Sequence, residues 1–197
     1  RKQTNEEFNQ EQLKDQKETI QNLENAILNQ EQQKEILQKI QQELQNKKDL
    51  NWNDKKKVDE FLRRQKQYEQ MMERQTENLQ QSLEQKTEET ESLQNKKQQL
   101  KKRIEELLTL NKQKKLLDEL QKMADKLNKD ELVKKAKQLA QQNKQQERSL
   151  ERILELTKRF YVEEKTLQIA KKLESLSKKQ DSLKNNNKKA LEEQEKI

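Results

Sequence analysis

The 197-residue chain contains no glycine, proline, cysteine or histidine. Glycine and proline serve most left-handed turns and sharp helix ends, and histidine and cysteine supply most zinc ligands, imidazole bases and thiol nucleophiles. Phosphate-binding loops and dinucleotide fingerprints need glycine, and serine-based catalytic triads need histidine. We therefore predict a protein that is not an enzyme, with no catalytic residue, no cofactor and no metal site.

Apolar residues are also scarce, at 27% of the chain, whereas charged residues make up 41%. A globular domain usually carries about 45–50% apolar residues, so one thick core is excluded. Intrinsic disorder is the first alternative. A helix seam with two apolar positions in seven needs only about 29% apolar residues, however, and lysine, glutamate, glutamine and leucine are good helix formers. The spacing of the apolar residues decides between the two.

The net charge is +7, and the lysines form short runs such as Lys55–Lys57 and Lys101–Arg103. Nucleic-acid binding needs basic residues on one face, with aromatic rings free to stack on bases. The aromatic residues Phe61, Tyr68 and Phe160 fall within the apolar rows instead. We interpret the basic runs as solvated helix faces, with contact to an anionic lipid or an acidic partner as the alternative, and predict no nucleic-acid partner.

The first predicted helix covers residues 1–50, where apolar residues recur in sevens. They form two rows, Leu13, Ile20 and Ile27 in one, and Leu23, Leu37 and Leu44 in the other. Several polar residues fall in the same two rows, namely Gln16, Gln30, Lys34 and Gln41. Because this seam is incomplete, the segment needs another helix to pack against.

Residues 47–54 break the pattern and predict a turn. Asn51, Asn53 and Asp54 can each cap a helix, because a side-chain oxygen accepts a hydrogen bond from a backbone N–H group. Leu50 or Trp52 could pack back onto Val58 as a staple, and we interpret Trp52, the single tryptophan, as a packing staple rather than as a platform for a ligand. A new helix therefore begins here.

The second predicted helix, 54–127, is the longest. Its packing residues are Val58, Phe61, Met72, Leu79, Leu100, Ile104, Leu107, Leu117, Leu120 and Leu127. Between residues 85 and 99 the apolar pattern thins to Leu93, which indicates either a solvated helix or a second, weaker break. From Leu100 onwards the apolar stripe widens, and we expect it to contact more than one helix.

A second junction is predicted at residues 128–130, with Asp130 as the N-cap of a short helix over 130–143. A polar gap at 141–147 precedes the final predicted helix, 147–197. Its packing residues begin as a broad stripe and continue in sevens: Leu150, Ile153, Phe160, Ile169, Leu173, Leu176 and Leu183. The sustained sevens at 169–197 suit pairing with a second chain.

The predicted fold class is all-α, with long coiled-coil helices folded back as antiparallel hairpins and a short helix between the last two long ones. Asparagine and aspartate take over the turn and capping roles that glycine and proline usually have. Each hairpin forms either within one chain or between two chains. We interpret the whole sequence as one elongated helical region of a longer protein.

Four segments resemble one protein family. They are the runs 50–58 (LNWNDKKKV), 117–123 (LDELQKM), 128–132 (NKDEL) and 148–160 (RSLERILELTKRF). Together they resemble the helical region of large membrane-anchored envelope proteins of Bacteroidota. The resemblance implies transmembrane helices outside this sequence and a helical region on the periplasmic side of the inner membrane. It implies no catalytic residues.

These observations favour a structural or scaffolding protein, a coiled-coil arm that mediates protein–protein interaction in a multi-subunit, membrane-associated envelope complex. Partners would bind through helix seams, and direct membrane contact would come only from segments outside this sequence. Two alternatives stay open. One is a holdase-like helical chaperone that grips unfolded clients through exposed apolar rows, and the other is a cytoskeletal or ciliary coiled-coil filament component.

Overall fold

The computed structural model describes residues 5–84, 90–110, 114–126 and 128–194. Within these ranges it contains five α-helices and no β-strand, which confirms the predicted all-α fold. The helices are α1 Asn5–Asn46, α2 Trp52–Glu84, α3 Glu91–Leu110, α4 Lys114–Asp125 and α5 Lys129–Gln194. The chain divides within α5 into two compact units, which we name unit 1 (Arg1–Lys158) and unit 2 (Arg159–Ile197).

Helices α1 and α2 form an antiparallel hairpin around the short loop at residues 47–51. Near this loop, Lys57 Nζ lies 2.5 Å from Glu43 Oε2. Farther from it, the Tyr68 hydroxyl donates a hydrogen bond of 3.2 Å to the carbonyl oxygen of Ala26. Residues later in α2 thus contact residues earlier in α1, as expected for two antiparallel helices. The predicted fold-back of the first two long helices is confirmed.

The part of α5 that belongs to unit 1 also runs antiparallel to α1. Lys34 Nζ lies 2.9 Å from Glu147 Oε2, and Lys158 Nζ lies 2.6 Å from Glu24 Oε1. At the other end of α1, Lys129 donates a hydrogen bond to the backbone carbonyl of Lys47. The first helix of the chain therefore contacts both the second helix and the last one.

Helix α4 packs antiparallel to α2. Lys55 Nζ lies 2.9 Å from Asp125 Oδ1, and Lys66 Nζ lies 3.0 Å from Asp118 Oδ1. Exposed ion pairs of this kind stabilise a fold by only about 0.2–1 kcal/mol each. Most of the stabilisation between the helices must therefore come from the apolar side chains beneath these pairs.

Four helices of unit 1 share one apolar core. Its buried members come from α1, α2, α4 and α5: Leu37, Ile40, Leu44, Val58, Phe61, Leu62, Leu117, Leu120, Ala124, Leu132, Ala136 and Leu139. Burial of one leucine or phenylalanine side chain stabilises a fold by about 1.5–3 kcal/mol. Because each helix turns only its inward rows to this core, a chain with 27% apolar residues suffices to build it.

The structure differs from the prediction over residues 54–127, where one helix was expected and α2, α3 and α4 are found. Thr90 caps α3, since its hydroxyl accepts a hydrogen bond of 3.3 Å from the Leu93 N–H and its carbonyl accepts one of 2.9 Å from the Gln94 N–H. The thin apolar pattern over 85–99 therefore reflects a helix break. Residues 111–113, between α3 and α4, lie outside the described residues.

Asn128, and not the predicted Asp130, caps α5. The Asn128 Oδ1 atom accepts a hydrogen bond of 3.2 Å from the Glu131 N–H, because Asn128 stands three positions before that group. Asp130 is exposed in the first turn, where the helix dipole stabilises a carboxylate. The Asn128 N–H also donates to the Met123 carbonyl at 3.0 Å. One residue thus closes α4 and begins α5.

The short helix predicted over 130–143 and the helix predicted from 147 are one continuous helix, α5, so the predicted gap at 141–147 is wrong. Its glutamine, lysine and glutamate residues are good helix formers. Asn143 and Gln146 in this stretch are buried beside polar side chains of α1 and α2. The polar character of the stretch therefore marks an inward-facing layer rather than a loop.

Candidate functional site

Most of the predicted packing residues are buried. They are Leu23, Leu37, Leu44, Val58, Phe61, Met72, Leu79, Leu100, Ile104, Leu107, Leu117, Leu120, Leu150, Ile153 and Phe160. Leu127 lies outside the described residues. The buried set includes members from every helix, so the apolar pattern located an inward face on each of them.

On α1 the buried row lies one residue before the predicted row of Leu13, Ile20 and Ile27. Leu13 is exposed and Ile20 and Ile27 are only half-buried, whereas Ala26 and Ile40 are buried. The prediction chose the larger side chains, but a small alanine lets a neighbouring helix approach closely. Leu13, Ile20 and Ile27 therefore flank the core of the bundle rather than form it.

The predicted capping residues Asn51 and Asp54 form a reciprocal pair at the start of α2. Asn51 Oδ1 accepts the N–H of Asp54, and Asp54 Oδ2 accepts the N–H of Asn51, each at 3.0 Å. This arrangement is a capping box with asparagine and aspartate in the two roles. Lys47 donates a further hydrogen bond to the Asp54 carboxylate, which links the residue after α1 to the first turn of α2.

The Asp54 carboxylate holds the helix junction together, since it accepts hydrogen bonds from the Asn51 N–H and from Lys47. Its burial alone would raise its pKa, but the hydrogen bonds from Lys47 and from the Asn51 backbone, with the positive charges of Lys47 and Lys57, outweigh burial. The pKa of Asp54 is therefore held below its ordinary value of 3.8. An acid held ionised in this way is a poor proton donor near neutral pH.

Trp52 does not act as the predicted staple. Its side chain is 72% exposed, and Lys56 Nζ lies 5.9 Å from the centroid of its ring. Leu50, which precedes the capping residue, packs instead against the apolar core that contains Val58. A hydrophobic staple uses the residue just before the N-cap, and Trp52 stands just after it. Of the two candidate staple residues, Leu50 packs on the core and Trp52 does not.

A layer of buried polar side chains crosses three helices of unit 1. Gln30 of α1, Gln65 of α2, and Asn143 and Gln146 of α5 are each at most 2% exposed. Gln30 Nε2 donates to the Asn143 carbonyl oxygen at 3.2 Å. The contacts from Gln30 Nε2 to Gln146 Oε1 and from Gln65 Nε2 to Asn143 Oδ1 are both 3.5 Å. We name these four residues the amide layer.

The amide layer restricts how α1, α2 and α5 align. A buried polar group without its partner costs about 1–3 kcal/mol, so a shift of one helix along another would place these amides against apolar side chains at that cost. A buried asparagine fixes the register of coiled coils for the same reason. The layer therefore favours the observed alignment of the three helices, within which Gln30 Oε1, Gln65 Oε1 and Asn143 Nδ2 have no hydrogen-bond partner among the described residues.

The sequence carried a signal for the amide layer that was misinterpreted. Gln30 falls on a predicted apolar row of α1, and Gln65 lies seven residues after Val58 and seven before Met72, so both interrupt rows of apolar residues. Asn143 and Gln146 continue the spacing of Leu139 and were taken as part of a loop. Polar amides at core positions of several helices indicate a shared buried layer. The pattern of one helix alone does not show this, because the partners lie on other helices.

Tyr68 adds a buried hydroxyl beside Gln146 of this layer. Its hydroxyl donates to the Ala26 carbonyl, as described above. Burial raises the pKa of the Tyr68 phenol, and the negative charges of Glu147 and Glu69 raise it further. The phenol thus stays protonated at neutral pH and serves as a hydrogen-bond donor between α2 and α1.

The described residues hold no group of three or more acidic side chains placed to bind a metal ion. None of the helices in the described ranges carries an apolar run sufficient to span a bilayer. The polar groups of unit 1 with defined geometry cap helices, pair helices and align them.

Unit 2 carries an apolar row that the fold leaves exposed. It consists of Val162, Ile169, Leu176 and Leu183, which recur every seven residues and are 48–68% exposed. Leu173, on the neighbouring row, is also exposed. We name the four residues in sevens the exposed row.

The exposed row lies on the face of α5 opposite to the buried residues of unit 2. Phe160 and Glu164 are buried, whereas Val162 between them is exposed. At about 100° per residue, the direction of Val162 differs from that of each neighbour by about 160°. The predicted packing residues Ile169, Leu173, Leu176 and Leu183 are therefore not covered by the described part of the chain, and their pairing with a second chain stays a prediction.

Comparison of the chain with protein-family models, with curated proteins and with solved structures finds no match. The resemblance to Bacteroidota envelope proteins therefore rests only on the four short segments described above. The function must be argued from the folded bundle of unit 1 and from the exposed row.

Proposed function

We propose that the chain is a non-enzymatic scaffold, a coiled-coil arm that binds a protein partner through a helix seam on unit 2. The observation that carries this proposal is the contrast between the two units. Unit 1 buries most of its apolar side chains, with Leu13, Leu28 and Trp52 as exposed exceptions, whereas unit 2 exposes a whole row in sevens. An apolar row that a fold leaves uncovered is typical of a surface for another protein.

The coiled-coil character of the seam is supported by its spacing. Four apolar residues in sevens keep one narrow stripe on the helix, with Leu173 on the adjacent row. A partner helix with the same period would pack against this stripe along its length. Unit 1 supports the scaffold role in a different way, since its capping box and amide layer define one arrangement of its helices.

We also propose that the scaffold works in a membrane-associated complex on the periplasmic side of a bacterial envelope. The sequence resemblance supports this part of the proposal, because it implies membrane-spanning helices outside this sequence. Membrane attachment would come from those helices and protein contacts from the exposed row.

Photo-crosslinking in the native host tests the scaffold. A photoreactive side chain is placed at Leu176 or Leu183 of the intact protein, and the adducts are identified by mass spectrometry. We expect one discrete partner, or a few, at both positions, recovered with the membrane fraction. The matched control is a photoreactive side chain at Lys178, which is exposed on the opposite face of α5 and should give no such adduct.

The exposed row also favours a second function, that of a holdase-like chaperone, because unfolded clients bind exposed apolar surface. The same experiment separates the two. A scaffold gives discrete adducts, whereas a holdase gives many unrelated ones and suppresses aggregation of a denatured client. Absence of adducts at both Leu176 and Leu183 would contradict both functions.

A further inference from the structure

We propose that the exposed row binds an acidic amphipathic helix of a different protein, rather than a second copy of this chain. The inference rests on the proposed scaffold function and adds the chemical class of the partner. It is argued from the charges that border the row within unit 2.

A row of lysines runs along one border of the exposed row. Lys165, Lys172 and Lys179 recur every seven residues, and each follows a member of the exposed row by three positions. Residues three apart on a helix are neighbours on its surface. Lys172 and Lys179 are exposed, and Lys165 is half-buried. In a coiled coil with the exposed row at position d, these lysines occupy position g, where side chains pair with the partner helix.

The opposite border, position e, holds Glu163, Ala170, Ser177 and Lys184. If two copies packed in parallel, each position g would face position e of the next heptad in the other copy. Lys165 would then face alanine, Lys172 would face serine, and Lys179 would face the Lys184 of the other copy. None of these three lysines meets an acidic residue, and one pair of like charges forms.

An antiparallel pair of copies fares worse. There, positions g face each other, so the lysine row of one copy would lie along the lysine row of the other. Positions e also face each other, and only Glu163 and Lys184 offer opposite charges there. Like charges held side by side destabilise helix pairs. Both orientations therefore disfavour a second copy as the occupant of the exposed row.

A partner helix with glutamates opposite Lys165, Lys172 and Lys179 converts each contact of the lysine row into an attractive pair. The wider charge of the segment agrees, since residues 165–184 hold six lysines against two acidic residues, Glu174 and Asp181. This excess of positive charge also speeds the encounter with an acidic surface.

An anionic membrane is the alternative partner for an apolar row that is flanked by lysines. Helices that lie in a membrane interface carry a broad apolar face with tryptophan, phenylalanine and leucine. The exposed row is one residue wide, joined only by Leu173, and residues 165–184 contain no aromatic residue. A narrow stripe in sevens fits a helix better than a bilayer.

The test uses the full chain and two labelled synthetic peptides. Both peptides carry the same leucine and isoleucine seam in sevens, one with glutamate and the other with lysine at positions e and g. Fluorescence anisotropy measures the Kd of each. We expect the glutamate peptide to bind about 10-fold more tightly at low ionic strength, and the preference to shrink as salt screens the pairs.

Three variants test which residues cause the preference for the glutamate peptide. The triple variant Lys165→Glu, Lys172→Glu, Lys179→Glu should reverse it in favour of the lysine peptide. The matched control Lys171→Glu, Lys178→Glu changes lysines on the far face of α5 and should keep it. The variant Leu176→Asn, Leu183→Asn should abolish binding of both peptides. All these positions are exposed or half-buried, so circular dichroism should show unchanged helicity.

Equal affinity for the two peptides would overturn the inference. So would a dimer in sedimentation equilibrium that Leu176→Asn dissociates, or binding to phosphatidylglycerol vesicles that depends on Leu176 and Leu183. If photo-crosslinking in the host gives discrete adducts but the two peptides bind equally, the scaffold function is supported and only the acidic character of its partner is refuted. A charge preference in vitro with no crosslink in the host would refute the scaffold itself.

Discussion

Asn51 and Asp54 each accept a hydrogen bond from the backbone N–H of the other at 3.0 Å. These two side chains stabilise the start of α2 in the hairpin between α1 and α2. In a chain without glycine or proline, this pair does the work that those residues usually do at a helix junction. The pair also joins the loop to Lys47 through the Asp54 carboxylate. The junction is therefore held by polar side chains at several points.

The first prediction concerns this capping box. Asn51→Ala removes the acceptor for the Asp54 N–H, and loss of an N-cap side chain costs about 1 kcal/mol. For a chain of this size we expect the Tm to fall by about 2–4 °C, measured by circular dichroism. Asn53→Ala, which alters an exposed asparagine in the same turn, is the matched control and should leave the Tm within error. Equal effects of the two changes would refute the capping role.

The second prediction is a pH dependence. Because the pKa of Asp54 is lowered from 3.8 in the folded chain, its ionised form stabilises the fold above that value. This contribution is lost as the pH falls through the lowered pKa. The difference in unfolding free energy between the wild type and Asp54→Asn should be full at neutral pH and shrink below about pH 4. Urea denaturation at a series of pH values measures it.

The control for the pH experiment is Asp49→Asn, in the exposed part of the same loop. It should give a difference from the wild type that is small across the same pH range. A difference for Asp54→Asn that stays constant between neutral and acidic pH would show that its carboxylate is not stabilised in the folded chain.

The third prediction separates alignment from stability in the amide layer. Gln65→Leu leaves the buried Asn143 amide without its contact and should destabilise unit 1 by about 1–3 kcal/mol. The double variant Gln65→Leu, Asn143→Leu removes both polar groups and should recover most of that loss. A double-mutant cycle in urea measures the coupling, with Gln67→Leu on the exposed face of α2 as control. Additive effects would contradict the layer.

The fourth prediction contrasts buried and exposed leucines of the same helix. Leu139→Ala empties space in the core of unit 1 and should cost about 2–5 kcal/mol. Leu176→Ala lies in the exposed row, where a change of this kind costs at most about 0.5 kcal/mol. Urea denaturation of the full chain gives both values. A large loss for Leu176→Ala would mean that the row packs within the fold.

The course of the helices was largely predictable, because apolar residues in sevens report which face of a helix turns inward. Leu37, Leu79 and Leu107 were placed correctly by spacing alone. The errors arose where one residue type serves two purposes. Asparagine both caps helices and fills a buried layer, and spacing within one segment does not show which of its polar residues meet partners from elsewhere in the chain.

The details of the junctions were less predictable for a geometric reason. Asn128 and Asp130 are both good capping types, and only the position relative to the first free N–H groups decides between them. Trp52 and Leu50 differ by two positions, yet one side chain is exposed and the other packs on the core. The residue types at a junction therefore predict that a new helix begins there, but they do not show which residue caps it or which side chain packs on the core.

The double role of Asn128 limits how this protein can change in length. Loops usually absorb insertions and deletions, because their residues serve neither of the elements that they connect. Asn128 closes α4 through its N–H and begins α5 through its side chain, so an added or lost residue here would separate two functions that one residue performs. Among relatives of this chain, length variation should therefore avoid the joint between α4 and α5, and Asn128 should vary less than the more conspicuous Trp52.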